Sequence, residues 1–114
     1  MVVEDDVDIR KIIGLILHEE DYGVKLCEYV RSIKNQIDQG LPDLLILDLT
    51  LSDGNGLDLC SEVKGDSVTS GIPVFLMSSH ARPAEVYNKC MPEGLIAKPF
   101  DIDDLLTRVG KVVN

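Results

Sequence analysis

The stretch Leu44-Leu45-Ile46-Leu47-Asp48 places four aliphatic residues in a row directly before a carboxylate. Hydrophobicity that is continuous rather than alternating predicts a strand buried on both faces, as in a parallel sheet covered by helices. Four other short apolar runs have the same character: Met1–Val3, Val24–Leu26, Val74–Met77 and Leu95–Ala97. The chain is therefore predicted to contain five parallel strands.

Amphipathic helices are predicted between these strands. The first has Asp6 as its N-cap, ends before Gly23, and repeats apolar residues at helical spacing: Ile9, Ile12, Ile13, Ile16 and Leu17. The others are predicted around Val30, Ile33 and Ile37, around Leu57, Cys60 and Val63, between Pro83 and Pro92, and after Asp101. Alternating strands and helices predict a doubly wound α/β sheet, in which ligands bind beyond the carboxyl ends of the strands.

Length and composition limit what this chain can be. Its 114 residues suffice for one domain, residues 1–114, and the aromatic content of 4% with no Trp predicts an aliphatic core. A net charge of -9 repels phosphate backbones, which argues against direct nucleic-acid binding by this domain. All of the excess lies in residues 1–66, which carry 15 acidic and 6 basic residues, whereas residues 67–114 carry 5 of each.

Cysteine spacing and hydropathy indicate the compartment. Cys27, Cys60 and Cys90 match neither a zinc pattern nor a disulfide framework, which favours a reducing cytoplasmic setting. No apolar run approaches the ~20 residues that span a bilayer, and no signal-peptide pattern opens the chain. The sequence therefore predicts no membrane association.

Chemically complementary side chains stand at the ends of four predicted strands. Glu4 and Asp5 follow the first strand, Asp48 the third, Ser78 the fourth and Lys98 the fifth. Crowded carboxylates repel one another unless a divalent cation neutralises them, and Mg²⁺ prefers such oxygen ligands. A lysine and a hydroxyl can hold a phosphoryl group, and an aspartate can be its acceptor.

Taken singly, each of these residues has a plainer interpretation. Acids after a strand commonly cap the next helix, an Asp before a loop commonly forms a turn, and a serine pair can serve as a cap. The hypothesis of a site rests on all four strand ends being complementary at once.

With these residues, the chain resembles the receiver domain of bacterial two-component response regulators. Three motifs carry the resemblance, which covers essentially the whole chain: Val2-Val3-Glu4-Asp5-Asp6, Leu47-Asp48-Leu49 with Asp53-Gly54-Asn55-Gly56, and Lys98-Pro99-Phe100. The resemblance implies a flavodoxin-like, doubly wound five-stranded parallel sheet of order 2-1-3-4-5 with about five helices. It also implies a cis Lys98–Pro99 peptide bond, which proline makes accessible.

The resemblance further implies a role for each site residue. Asp48 would accept a phosphoryl group, and Glu4, Asp5, Asp48 and the backbone carbonyl of Thr50 would hold Mg²⁺. Ser78 and Lys98 would contact the phosphoryl group. These roles describe a phospho-acceptor that assists its own phosphorylation and slow dephosphorylation, rather than a turnover enzyme.

Partners are also implied by the family. The phosphoryl donor would be a histidine kinase or a histidine phosphotransfer protein, and the partner downstream would be an effector or a fused output domain. The surface expected to change comprises the fourth helix, fifth strand and fifth helix, residues 84–113. A phosphorylation-dependent homodimer is left open.

The chain departs from the family pattern at two positions. Ser52 stands where many members have proline, and Leu95 stands where many have an aromatic that rotates on activation. Coupling would then rest on Ser78 and backbone movement. His80, two positions after Ser78, is expected to tune the phosphoryl lifetime together with Thr50.

Two other functions remain as alternatives. One is a pseudo-receiver that acts only as a phosphorylation-independent interaction module. The other is a Mg²⁺-dependent aspartyl-phosphate phosphatase, although Thr50 occupies the position where such enzymes usually need a second aspartate. A flavin site is disfavoured by the few aromatics and by the lack of a phosphate-cradling loop after the first strand.

Overall fold

A computed structural model describes residues 1–29, 31–51, 53–79 and 83–113, except for the side chain of Lys34. Five strands form one parallel sheet: β1 Val2–Val3, β2 Leu26–Cys27, β3 Leu45–Asp48, β6 Val74–Ser78 and β7 Gly94–Ala97. Their spatial order is β2-β1-β3-β6-β7. This order is the predicted 2-1-3-4-5 arrangement, so the fold class is confirmed.

Five helices within the described residues cover the two faces of this sheet. They are α1 Val7–Glu19, α2 Arg31–Asp38, α3 Gly56–Gly65, α4 Pro83–Lys89 and α5 Ile102–Val113. Apolar residues of α1 and α5 pack with Val2 and Ile46 on one face, whereas those of α2, α3 and α4 pack with Val3 and Leu47 on the other. Successive strand residues point to opposite faces, which explains why Val2–Val3 of β1 and Leu45–Leu47 of β3 are apolar at every position.

Short polar side chains begin three of the helices. The Asp6 carboxylate accepts hydrogen bonds from the backbone N–H groups of Asp8 and Ile9, at 2.9 and 3.1 Å. The Asn55 side chain accepts from the Leu57 N–H, and Asp101 accepts from the Asp104 N–H. Each cap satisfies a backbone donor that the first turn leaves unpaired, so these helices begin close to their predicted starts.

The strand boundaries differ from the predicted ones by one or two residues. β2, predicted over Val24–Leu26, begins two residues later and ends one residue later, because Leu26 and Cys27 pair with the two residues of β1. β3 is shifted by one residue towards the C-terminus and β6 is longer by one residue at its end, so that Asp48 and Ser78 belong to their strands. A small antiparallel hairpin, β4 Thr50–Leu51 and β5 Gly54–Asn55, follows β3 and was not predicted.

Two of the three cysteines are paired, contrary to the expectation from their spacing. Cys60 in α3 and Cys90, just after α4, form a disulfide with a Cα–Cα distance of 6.2 Å, so the expectation of no disulfide is wrong at this pair. The residues are 30 apart in sequence, but α3 and α4 pack side by side on the same face of the sheet. Cys27 is a free, buried thiol.

None of the helices within the described residues is both long and apolar enough to cross a membrane. The Lys98–Pro99 peptide bond is cis, as expected. Val30, Ser52 and His80, to which the sequence assigned roles, lie outside the described residues.

Candidate functional site

The carboxyl ends of the central strands bring the predicted site residues to one edge of the sheet. Glu4 and Asp5 directly follow β1, and Asp48 is the last residue of β3, which pairs with β1. β6 lies on the other side of β3, with Asp48 in register with Met77 and Ser78 at its end. Lys98 follows β7, and its N–H donates to the Ser78 carbonyl oxygen at 3.0 Å.

Three carboxylates converge at this edge. One ligand oxygen from each of Glu4, Asp5 and Asp48 lies within 4.8 Å of the other two. Glu4 and Asp48 are buried, with 1% and 6% of their surface exposed, and Asp5 is half-buried. Because carboxylates so close together repel in a poorly solvated site, the cluster requires a positive charge or a proton.

Lys98 supplies a positive charge to two of these carboxylates. Its Nζ lies 3.0 and 3.2 Å from the two oxygens of Glu4 and 3.0 Å from Oδ2 of Asp48. The carboxylates and the ammonium come from positions 94 and 50 residues apart in sequence. Lys98 therefore bridges the ends of β1, β3 and β7.

Burial and these contacts shift two pKa values. Burial raises the pKa of Glu4 from its ordinary value of 4.5 to about 7. The hydrogen bond with Asp48 also raises this pKa, whereas the hydrogen bond with Lys98 lowers it. Burial alone would lower the pKa of Lys98, but its hydrogen bonds with Asp48 and Glu4 outweigh burial and raise it. The site thus holds Lys98 as a cation, while Glu4 is poised to bind a proton near neutral pH.

The loop after β3 positions the Asp48 carboxylate and backbone. Oδ1 of Asp48 accepts from the Thr50 N–H at 3.3 Å, and Thr50 itself is exposed in the β4–β5 hairpin. The chain then folds back, so that the Gly56 N–H donates to the Leu49 carbonyl at 2.8 Å. A Cβ atom on Gly56 would lie 2.9 Å from both the Asp48 carbonyl carbon and the Leu49 Cα, and closer still to the Asp48 carbonyl oxygen.

Two contributors to the site were not identified from the sequence. Nη1 of Arg10 in α1 donates to the Glu4 carbonyl oxygen at 2.8 Å, which fixes the backbone at the end of β1. Gly56 was included only as part of a motif, although its lack of a side chain allows the backbone to pass close to Asp48. Neither position carries a periodic or charge signal, since both contacts arise only when the chain folds back on itself.

A family model described as the response regulator receiver domain matches residues 1–110. The chain belongs to this family. Among curated relatives, this receiver domain is 28% identical over 115 residues to the phosphate regulon transcriptional regulatory protein PhoB of Escherichia coli, covering 99% of the chain and 50% of PhoB. It is 31% identical over 121 residues to the response regulator ArlR of Staphylococcus epidermidis, covering 99% of the chain and 51% of ArlR.

Solved structures support the same fold. The receiver domain superposes on the signal receiver domain of a signal transduction histidine kinase from Syntrophus aciditrophicus with a TM-score of 0.90 and 25% identity, covering 98% of this chain and 86% of that one. The receiver domain spans about half the length of the curated relatives described above. Its resemblance to the family, inferred from three motifs, is confirmed.

The buried Glu4 predicts how the stability of the receiver domain depends on pH. Because folding raises the pKa of Glu4, the native state binds a proton more tightly than the unfolded chain. Stability is therefore greatest below pH 4.5 as far as Glu4 is concerned, and it falls as pH rises from 4.5 to about 7, by about 3 kcal/mol.

Urea unfolding across this pH range in the presence of a chelator measures the effect. Glu4→Gln should flatten the decline, because the amide has no proton to lose. Glu19→Gln, which changes an exposed carboxylate at the end of α1, should keep the wild-type decline. Equal pH profiles for Glu4→Gln and wild type would show that Glu4 does not carry the dependence.

Proposed function

We propose that this receiver domain, residues 1–114, is a phosphorylation-activated signalling switch in which Asp48 accepts a phosphoryl group. The observation that supports this most directly is the convergence of Glu4, Asp5 and Lys98 on Asp48 at the carboxyl edge of the sheet. A buried aspartate held between a lysine and two further carboxylates has the groups needed for phosphoryl transfer.

Mg²⁺ fits the donors at this edge. Carboxylate oxygens and a backbone carbonyl are its preferred ligands, and the crowding of three carboxylates is relieved by a divalent cation. Glu4, Asp5, Asp48 and the Thr50 carbonyl would hold it. Bound Mg²⁺ would neutralise charge on the phosphoryl oxygens during transfer.

The transfer itself moves a phosphoryl group onto a carboxylate. A carboxylate oxygen of Asp48 forms the new P–O bond while the bond from phosphorus to the donor's histidine nitrogen breaks, leaving the electron pair on that nitrogen. Lys98 then faces the added negative charge, and the Ser78 hydroxyl, at the end of the neighbouring strand, can donate to a phosphoryl oxygen.

Phosphorylation would change the surface made by α4, β7 and α5, because Ser78 and Lys98 lie at the ends of β6 and β7. Leu95 is half-buried in β7, and Nη1 of Arg108 in α5 donates to its carbonyl oxygen at 3.0 Å. No aromatic rotation is available at this position, so the coupling would be carried by Ser78 and by backbone movement of β6 and β7.

Partners and location are proposed from the family. The donor is a histidine kinase or a histidine phosphotransfer protein, and the changed surface acts on an effector, on a fused output domain or on a second copy. PhoB is named a transcriptional regulatory protein, which suggests a fused output of that kind. We place the domain in the cytoplasm, with no direct binding of nucleic acid or membrane and no turnover of substrate.

The function is tested by incubating the protein with acetyl phosphate and Mg²⁺ and measuring its intact mass. We expect one phosphoryl group per chain, no adduct when EDTA replaces Mg²⁺, and loss of the adduct over time after the donor is removed. Failure to form an adduct with acetyl phosphate or with a phosphorylated histidine phosphotransfer protein would favour the interaction module. Continuous release of phosphate from unrelated phosphate esters would favour the phosphatase.

A further inference from the structure

The junction between α3 and α4 is held by three contacts that the phosphorylation chemistry does not use. Cys60 and Cys90 form a disulfide, Lys89 Nζ forms an ion pair with Asp58, and the Ser61 hydroxyl donates to the Lys89 carbonyl oxygen at 2.7 Å. All three join the same turn of α3 to the last turn of α4 and the residue that follows it. Together they attach the carboxyl end of α4 to α3.

The covalent bond is the strongest of these contacts. The Asp58 and Lys89 side chains are 57% and 51% exposed, so water and salt screen their attraction. The Ser61 hydrogen bond is also at an exposed position. Without the disulfide, α4 would be held mainly by the burial of Val86 and Cys90, since its other described side chains are exposed.

This sparse packing gives reagents a route to the sulfur atoms. Cys60 is 0% and Cys90 is 5% exposed, so neither reacts readily while α4 is docked. A helix of seven residues with one buried side chain is stabilised by few contacts, and such segments open locally without global unfolding. Opening of α4 would expose Cys90 first.

We propose that Cys60 and Cys90 form a reversible thiol–disulfide site that takes a low-molecular-weight disulfide, of the glutathione type, and that oxidation locks α4 against α3. This inference rests on the proposed cytoplasmic signalling function. In a reducing compartment the pair is dithiol at rest, and disulfides that form there are typically transient and redox-sensing.

The exchange balances without any other reactant. The Cys90 thiolate attacks one sulfur of the external disulfide, forming a mixed disulfide and releasing one thiol. The Cys60 thiolate then attacks the Cys90 sulfur, forming the Cys60–Cys90 bond and releasing the second thiol. The two protons lost by the cysteines are carried by the two released thiols, and the external disulfide is reduced as the pair is oxidised.

Locking α4 would bear on the switch because of where the helix lies. α4 begins at Pro83, five residues after Ser78 at the end of β6, and it belongs to the surface proposed to change on phosphorylation. A bond at the carboxyl end of α4 therefore restrains a helix whose amino end follows Ser78 closely in the sequence. The oxidised protein should resist rearrangement of α4 even when Asp48 carries a phosphoryl group.

The test is a redox titration with hydrogen exchange as the structural readout. Protein equilibrated with reduced and oxidised glutathione in varied ratios is denatured, alkylated at free thiols and weighed. The bridged form has one alkylated cysteine, Cys27, and the reduced form has three. We expect conversion between the two forms within this range, and amide exchange in α4 about tenfold slower in the oxidised form without any phosphoryl donor.

Variants locate the effect. Cys60→Ala and Cys90→Ala should each abolish the response of α4 to oxidised glutathione, whereas Cys27→Ala should keep it. Failure of the bridge to form, failure of reduced glutathione to open it, or equal α4 exchange in both forms would overturn the proposal. None of these readouts needs phosphorylation. If no Asp48 adduct formed, the proposed function would be refuted, but the redox titration and hydrogen exchange would still test the redox site.

A second measurement addresses the coupling. With acetyl phosphate and Mg²⁺, the reduced protein should show altered α4 exchange, and the oxidised protein should show little change at equal occupancy of Asp48. The same change in both forms at equal occupancy would overturn the locking of α4.

Discussion

Asp48→Asn should eliminate the phosphoryl adduct, with no detectable modified chain after incubation with acetyl phosphate and Mg²⁺. The amide nitrogen and oxygen cannot replace the carboxylate as nucleophile, and the neighbouring acids, Glu4 and Asp5, are proposed to hold Mg²⁺ rather than to accept the phosphoryl group. Intact mass followed by peptide mapping measures the result.

The variant should remain folded, which separates loss of chemistry from loss of structure. Asn has nearly the shape of Asp, and removing one of the crowded buried charges relieves repulsion with Glu4, while Lys98 keeps its contact with Glu4. Urea unfolding should therefore show a stability at least equal to that of wild type in chelator.

Asp43→Asn is the matched control. Asp43 is an exposed aspartate two residues before β3, at the opposite end of the strand from Asp48. This variant should be phosphorylated like wild type. A phosphoryl group that maps to another residue in Asp48→Asn, or an undiminished adduct, would contradict the assignment of Asp48.

Gly56→Ala should destabilise the domain by about 3 kcal/mol and strongly reduce phosphorylation of what remains folded. The new methyl group would lie 2.9 Å from the Asp48 carbonyl carbon and from the Leu49 Cα, and both of these are backbone atoms that cannot rotate away. The turn after β3 must shift, which displaces Asp48 from Lys98 and breaks the contact of the Gly56 N–H with Leu49.

Denaturant unfolding and the initial rate of adduct formation together test this effect. Gly65→Ala is the control, because Gly65 ends the same helix that Gly56 begins and an added Cβ there meets no atom within 4 Å. Its stability should equal or slightly exceed that of wild type, since alanine is the better helix former. If Gly56→Ala and Gly65→Ala had similar free energies of unfolding, close packing against Asp48 would not be the reason for glycine at position 56.

Much of the fold was predictable because its cause is local in the sequence. The continuous apolar run before Asp48 is typical of a strand covered on both faces, and Asp6 and Asp101 mark helix starts through hydrogen bonds spanning three residues or fewer. The hairpin formed by β4 and β5 was missed, because its two-residue strands are too short to show a periodic pattern.

The candidate site was predictable in its residue types but not in its contacts. Residue order along the chain places acids, a hydroxyl and a lysine at strand ends, and parallel topology brings those ends to one edge. Lys98 contacts Glu4 and Asp48 across 94 and 50 residues of chain. The contacts of Arg10 with the Glu4 carbonyl and of Gly56 with Asp48 are shorter in sequence, but each depends on how the chain turns after a strand. No periodicity encodes such distances.

The fold class, the strand order through the family resemblance, and the acidic edge at which the chemistry is proposed could all be predicted without coordinates. The environment of those acids and the disulfide partner of Cys60 follow from the folded chain alone. Burial at a crowded strand end raises the pKa of Glu4, and the packing of α3 beside α4 brings Cys60 to Cys90 across 30 residues of chain. Both effects depend on solvent exclusion and on proximity in space, which arise only when the helices close over the sheet.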